Sequence, residues 1–516
     1  MNGMTPGISV KDFTGQPAVL ACLEGLKKNF GENGESLLVS DVIDEKGHQY
    51  VHLVQKGGGV LGIALIGYTY ILEQMNIRFI RLAGTSAGAI NTALMTVIGG
   101  NKQTVIIDGK ATTIAKGDKQ QAKSEKILKA ICDLNFFDLV DGHPVARWTI
   151  KRFITNQDFA ARTSIWIKGI LGILLALPAL DFICLGLQHE MKWISILSKF
   201  LFLVTGFYFM LVTILIIYLA YLVNRLKDSG FGINPGDFFY SWIKERLIEN
   251  DVNTVSDMMS KAETPVPGLR LRGDDNRDIA DLNGDVTFIA SELVTQNKIE
   301  FPKMWELFTD NKDTLQPAGF IRSSMSIPIF FESYFINNIP CTLPAIQKAW
   351  ALLDETQPPS MVRFVDGGIL SNFPINLFYN PNVDKPRLPS FGIDLDDSAY
   401  PPGLDIEKNK KENEDADKGA HAEAWSFGGF VYRLFNTVRF YYDKDFLIKN
   451  AFYKKGIGRI PLKGFGWLNF FLDDEAKKKM FVIGAQAATA FLNDFKWEDY
   501  KIQREEMKKT LTDPKI

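Results

Sequence analysis

The sequence predicts an open α/β sheet interrupted by a membrane-spanning helical hairpin. Three observations carry that prediction. A glycine triplet, Gly57, Gly58 and Gly59, follows a strand-like run that starts at Tyr50; a Gly84-Thr85-Ser86-Ala87-Gly88 pentad follows a second run, Phe79 to Ala83; and Phe200 to Val223 holds no charged residue. The first two put turns at strand ends, where open α/β sheets concentrate their chemistry. The third exceeds the roughly 20 residues needed to span a bilayer.

The chain has 516 residues, enough for two or three domains, and a net charge of −2, which gives no global field for nucleic acid. Cys22, Cys132, Cys184 and Cys341 are scattered without a C-x-x-C pair, so neither a zinc site nor a disulfide framework is expected. The five histidines form no H-E-x-x-H pattern. Residues 1–49 lack a basic start followed by an apolar run, so they read as an N-terminal cap and not as a cleaved signal.

Without side chains, Gly57 to Gly59 can turn several backbone N–H groups toward one point and hold an oxyanion. Gly62 then permits close packing where a helix, Leu61 to Gln74, begins. A phosphate loop fits less well, because Ile63 follows Gly62 where Lys and Ser or Thr are needed. A dinucleotide fingerprint fits poorly too, because its acidic ribose partner would fall near Arg78 to Ala83. In the pentad, Ser86 falls between a strand and a helix over Ala87 to Val97, whose apolar residues recur at helical spacing. Gly84 and Gly88 let the two elements approach, and the helix N-terminus favours developing negative charge beside the Ser86 hydroxyl.

Asn101 to Ala122 reads as a polar excursion containing a short strand, Val105 to Ile107, and Ser124 to Leu134 as a helix. Phe200 to Val223 reads as a transmembrane helix. Ile165 to Leu187 is a second candidate that crosses, kinks or re-enters, because Lys168, Pro178 and Asp181 interrupt it. Two crossings return the chain to the side it left, as they must if Ser86 is to meet a later partner. Lys151, Arg152, Arg162, Arg225 and Lys227 flank this hairpin, whereas the connector Gln188 to Trp193 carries only Glu190 and Lys192, so the flanks are expected on the cytoplasmic side.

Downstream, a helix is expected from about Gly236, strands over Asp285 to Glu292 and Ile299 to Phe301, and a short helix within Phe320 to Phe331 that stops at Pro328. Val362 to Val365 is strand-like, with Asp366 at its end and Gly367 and Gly368 freeing the loop that follows. An acid at the carboxyl end of a strand is well placed to meet a serine on a neighbouring strand end. A triad would need a histidine after the acid; His421 is the single candidate, and it lies in the polar segment Lys408 to Ala424. The residues therefore permit a Ser86-Asp366 dyad in which the carboxylate takes the hydroxyl proton directly.

Taken together, Gly57-Gly58-Gly59-Val60-Leu61-Gly62, Gly84-Thr85-Ser86-Ala87-Gly88, Ser324-Met325-Ser326-Ile327-Pro328 and Asp366-Gly367-Gly368 resemble the patatin-like phospholipase family, over about Tyr50 to Asp397. The resemblance implies a three-layer α/β/α fold with a mostly parallel central sheet, catalysis by Ser86 and Asp366, no metal or organic cofactor, and hydrolysis of lipid acyl esters at a membrane. Leu61 stands where many members carry Arg or Lys. The expected organisation is an N-terminal cap (1–49), a catalytic domain (50–398) with the hairpin inserted at 160–228, a polar linker (399–424) and a C-terminal helical region (425–516); the hairpin is not part of the basic family pattern. That last region either lies on a membrane interface or packs on the catalytic domain. Three functions are expected to compete: phospholipase A or lysophospholipase, an acyltransferase using the same dyad, and a non-catalytic membrane scaffold.

Overall fold

A computed structural model describes residues 8–512 except 108–109, 156–158, 188–191, 229, 274–278, 280–281 and 402–426. Most of the connector 188–193, and most of the polar linker with His421, therefore lie outside the described residues. The chain divides into two compact units.

The larger unit comprises 1–140, 236–328 and 333–516. It is built on a 10-stranded sheet. Its strands are β1 (Val42–Ile43), β2 (Gln49–Gln55), β3 (Ile77–Thr85), β4 (Arg270–Leu271), β5 (Asp285–Glu292), β6 (Lys298–Phe301), β7 (Tyr334–Asn337), β8 (Met361–Asp366), β9 (Ser390–Asp396) and β10 (Ile457–Pro461). Four pairings are parallel, β2 with β3, β3 with β5, β2 with β9 and β9 with β10. Five are antiparallel. The sheet is thus mixed, which corrects the expectation of a mostly parallel one. The parallel centre is buried at every position of β2, as an apolar strand covered on both faces must be.

The helices include α1 (Pro17–Phe30), α2 (Gly62–Gln74), α3 (Ala87–Val97), α4 (Ser124–Cys132), α5 (Phe159–Leu187), α6 (Lys192–Asp228), α7 (Asp237–Ile248), α8 (Phe427–Lys449) and α9 (Asp474–Asp494); of these, α5 and α6 belong to the smaller unit and the others to the larger. α2 is apolar all round and buried along its length, packed between the sheet and α9. The polar excursion forms a hairpin of two strands, Lys102–Ile107 and Lys110–Ala115, where the sequence had suggested one. The short helix expected to stop at Pro328 spans Pro317–Ser324, and Ile329–Phe331 is a strand. Pro328, which has no N–H to continue a helix, separates the two.

The smaller unit comprises 141–235 and 329–332. It contains α5 and α6, which pack against one another, and Tyr208 donates a hydrogen bond to the Ile170 carbonyl at 2.8 Å. α5 stays continuous through Pro178. Both helices are long and apolar enough to cross a membrane, and almost none of either apolar span is buried. Core helices of a water-soluble protein would be buried, so the exposed apolar surface favours membrane association.

Candidate active site

β3 ends at Thr85 and α3 begins at Ala87, which leaves Ser86 alone at the junction with φ 53° and ψ −120°. A side-chain-bearing residue reaches positive φ only at some cost, and such strain is characteristic of a serine at a sharp strand-to-helix turn. The flanking glycines explain how the turn closes. A Cβ on Gly84 would run into the Gly88 carbonyl, and one on Gly88 into the Gln55 carbonyl. Gln55 also clasps α3, donating to Thr92 Oγ1 at 2.9 Å and accepting from Asn91 Nδ2 at 2.5 Å. At the far end of α3, Lys123 Nζ donates to the Met95 carbonyl and Lys261 Nζ to the Val97 carbonyl. These cations complement the negative end of the helix whose positive end faces Ser86.

The glycine loop leaves β2 beside this turn. Two of its glycine amides are engaged, Gly57 N–H with the Asn372 carbonyl at 3.0 Å and Gly62 N–H with the Gly59 carbonyl, and the Leu61 amide donates to the Gly58 carbonyl at 3.1 Å. The Val60 amide donates to the Trp467 carbonyl at 3.1 Å. That leaves the Gly58 and Gly59 amides without an acceptor among the described residues. Gly62 packs on Ala87 and brings the start of α2 against the start of α3.

Asp366 reaches Ser86 by a route the sequence did not suggest. β3 pairs with β5 up to Thr85 opposite Ile289, and β8 pairs with β5 in the opposite direction, with Asp366 opposite Ala290. β6 pairs with the same part of β5, opposite Phe288 to Ser291. Since each strand has two edges, β3 and β8 share the other one and meet tip to tip. Ser86 and Asp366 are the residues at the junction. They do not sit on adjacent parallel strands. A Cβ on Gly367 would collide with the Ile289 carbonyl, so the chain turns away at a glycine directly after the acid.

The Asp366 carboxylate accepts from the Gly368 N–H at 2.6 Å and lies beside Ser86 where β3 and β8 meet. Burial pushes the Asp366 pKa above the usual carboxylate range, and the neighbouring Ser86 hydroxyl, the Gly368 N–H and the charge of Arg439 offset part of that rise. The Ser324 to Pro328 stretch brackets both residues: Ser324 Oγ accepts from the Ser86 N–H at 3.0 Å, and the Ser326 carbonyl accepts from the Asp366 N–H at 2.8 Å.

One cleft is lined by Gly57, Gly58, Gly59, Leu61, Ser86 and Asp366 together with Lys56, Asn372, Leu395, Asp397, Arg439, Phe440 and Trp467. No histidine among the described residues lines it. Asn372, Arg439 and Trp467 escaped the sequence reading, because their neighbours at the site come from distant segments. A second, apolar cavity shares Gly59 with this cleft and is lined by Val60, Ala87, Ile90, Ile131, Phe136 and Trp242 among others.

The family model for patatin-like phospholipases matches residues 53–379, a span that includes the glycine loop, Ser86 and Asp366. A relative in Bacillus subtilis (strain 168), named uncharacterized protein YqhO, is 23% identical over 446 residues, covering 86% of this chain and 99% of that protein. The crystal structure of VipD from Legionella pneumophila matches at a TM-score of 0.34 and 13% identity, over 89% of this chain and 70% of that one.

Proposed function

The chain belongs to the patatin-like phospholipase family, and from that premise we propose that it is a membrane-anchored serine hydrolase of lipid acyl esters, of phospholipase A or lysophospholipase type. The observation that carries the proposal is that Ser86 and the buried Asp366 line one cleft together with the glycine loop. In the first step Ser86 Oγ bonds to the acyl carbonyl carbon while its proton passes to Asp366. The carbonyl oxygen takes the displaced electron pair and is held by the Gly58 and Gly59 amides at the positive end of α3. Collapse of this intermediate breaks the ester bond, and the leaving oxygen takes the proton from Asp366. Asp366 then draws a proton from water as that water attacks the acyl-enzyme and passes it to Ser86 Oγ as the Oγ–acyl bond breaks, so the fatty acid leaves and both residues are restored.

The raised pKa of Asp366 supports its role as general base, because proton transfer is most effective from a group poised nearer the working pH. The apolar cavity beside Gly59 and Ala87 supports a hydrocarbon acyl group as the substrate. Full burial of β2 supports the three-layer arrangement of helices about the sheet. The exposed apolar helices α5 and α6 support a hairpin through the bilayer, with the basic flanks and the larger unit on the cytoplasmic side. A protein serving as a scaffold has no physical need to retain serine, acid and unengaged amides together. The test uses detergent-solubilised full-length protein. Wild type releases fatty acid from phospholipid and is labelled by a fluorophosphonate, whereas Ser86→Ala does neither and loses turnover by a factor on the order of 10⁴ or more. Full activity in Ser86→Ala would end the proposal.

A further inference from the structure

Helix α8 lies beyond the 53–379 region that matches the family, yet it holds the loop that carries the acid. Two of its residues, one helical turn apart and so on the same face, reach that loop. Arg439 Nε donates to the Gly368 carbonyl at 2.8 Å. Asp443 accepts from Ser371 Oγ at 2.8 Å on one oxygen and from the Phe373 N–H at 2.8 Å on the other. The Arg439 bond falls just after Asp366, and the Asp443 bonds fall at the far end of the loop.

The segment gripped by Asp443 touches both other parts of the site. The Ser371 carbonyl accepts from Thr85 Oγ1 at 3.0 Å, in the residue before the nucleophile. The Asn372 carbonyl accepts from the Gly57 N–H at 3.0 Å, and Asn372 Nδ2 donates to the Gly57 carbonyl at 3.3 Å. The carboxylate of Asp443 thus stands one bond behind the contacts that tie the acid loop to the serine turn and to the glycine loop. Asp443 is 6% exposed, and a buried carboxylate on a helix is costly unless it organises several donors.

We propose that Asp443, assisted by Arg439, is a positioning residue of the hydrolase: its carboxylate fixes Ser371 to Phe373 and so sets the registry of Asp366, Ser86 and the oxyanion amides. Asp443 touches neither substrate nor the reacting atoms. The inference rests on the serine hydrolase reading above. A registry error of about 1 Å costs up to roughly 100-fold in rate. The cost falls on the chemical step and leaves the apolar subsite that binds the acyl chain unchanged.

The experiment compares full-length wild type, Asp443→Asn, Ser371→Ala and the double variant in detergent. It measures kcat and KM for a soluble short-chain ester, the fraction of sites labelled by fluorophosphonate at completion, and the rate of that labelling. Asn keeps the shape of Asp443 but offers an NH2 group to one of the two donors. The expected result is a kcat per labelled site lower by about 10–100-fold in Asp443→Asn, KM within about a factor of two, and slower labelling. Ser371→Ala is expected to lose less, and the double variant no more than Asp443→Asn, because both act through one contact. Wild-type kcat per labelled site in Asp443→Asn, or a loss that appears wholly as fewer labelled sites, overturns the proposal. Should Asp443→Asn fail to fold, Ser371→Ala decides: wild-type kcat per site there also overturns it. An inactive, unlabelled wild type would instead defeat the hydrolase reading itself.

Discussion

The nucleophile half of the site and the acid half are built differently. The backbone of the serine turn is shaped mainly within residues 55–97, where Gln55, Gly84, Ser86, Gly88 and α3 define one another through steric contact and the Gln55 clasp, while the glycine loop beside it leans on Asn372, Leu395 and Trp467. The second depends on a strand running the other way, on the Ser326 carbonyl, and on α8 some seventy residues downstream. The serine turn is therefore rigid by local sterics, whereas the acid is held by a few hydrogen bonds from distant segments. Packing of backbone on backbone leaves few alternatives. A loop held by side chains can lose one bond and remain folded.

After Ser86→Ala itself, breaking the acid half at its centre has the largest expected effect. Asp366→Asn removes the proton acceptor and lowers kcat by about 10³–10⁴-fold, with little change in thermal stability. His421→Ala assayed beside it retains near wild-type turnover, and an equal loss there would reinstate a triad.

The pH profile sharpens the contrast next. Asp366 must be ionised to accept the Ser86 proton, and burial raises its pKa, so activity falls as pH drops through a midpoint above the usual carboxylate value of about 4. Burial also pushes Asp443 up to about 6. Its protonation weakens the hold on Ser371 and Phe373, and activity falls further below that pH. The kcat/KM of wild type between acid and neutral pH is expected to fall about tenfold per unit or more steeply on the acid side. A profile flat down to the ordinary carboxylate range would refute both assignments.

The smallest effect comes from crowding the backbone of the nucleophile half, and it appears in stability. Gly88→Ala gains about 1 kcal/mol of helix propensity, but its Cβ overlaps a backbone carbonyl that cannot swing aside. Overpacking of this kind costs about 1–3 kcal/mol. The net expectation is a lowered thermal midpoint by calorimetry; an unchanged or raised midpoint would show that β2 and α3 have room to separate.

The sequence by itself determined whatever depends on neighbours along the chain. The glycines at 84 and 88 specified a tight turn, the apolar spacing after Ser86 specified a helix whose observed bounds are Ala87–Val97, and the uncharged run at 200–223 specified a long exposed helix. Only the tertiary structure decided the direction of β8, the mixed character of the sheet, which two glycine amides stay unengaged, and the recruitment of Arg439 and Asp443 to the acid loop. The reason is physical. A turn or a helix is fixed by the sterics of residues a few positions apart, and these leave their mark in spacing. Strand direction and register are fixed by hydrogen bonds between segments far apart in the chain. Asp366 has the same neighbours in sequence whichever way its strand runs, and only its pairing with Ala290 brings it to Ser86.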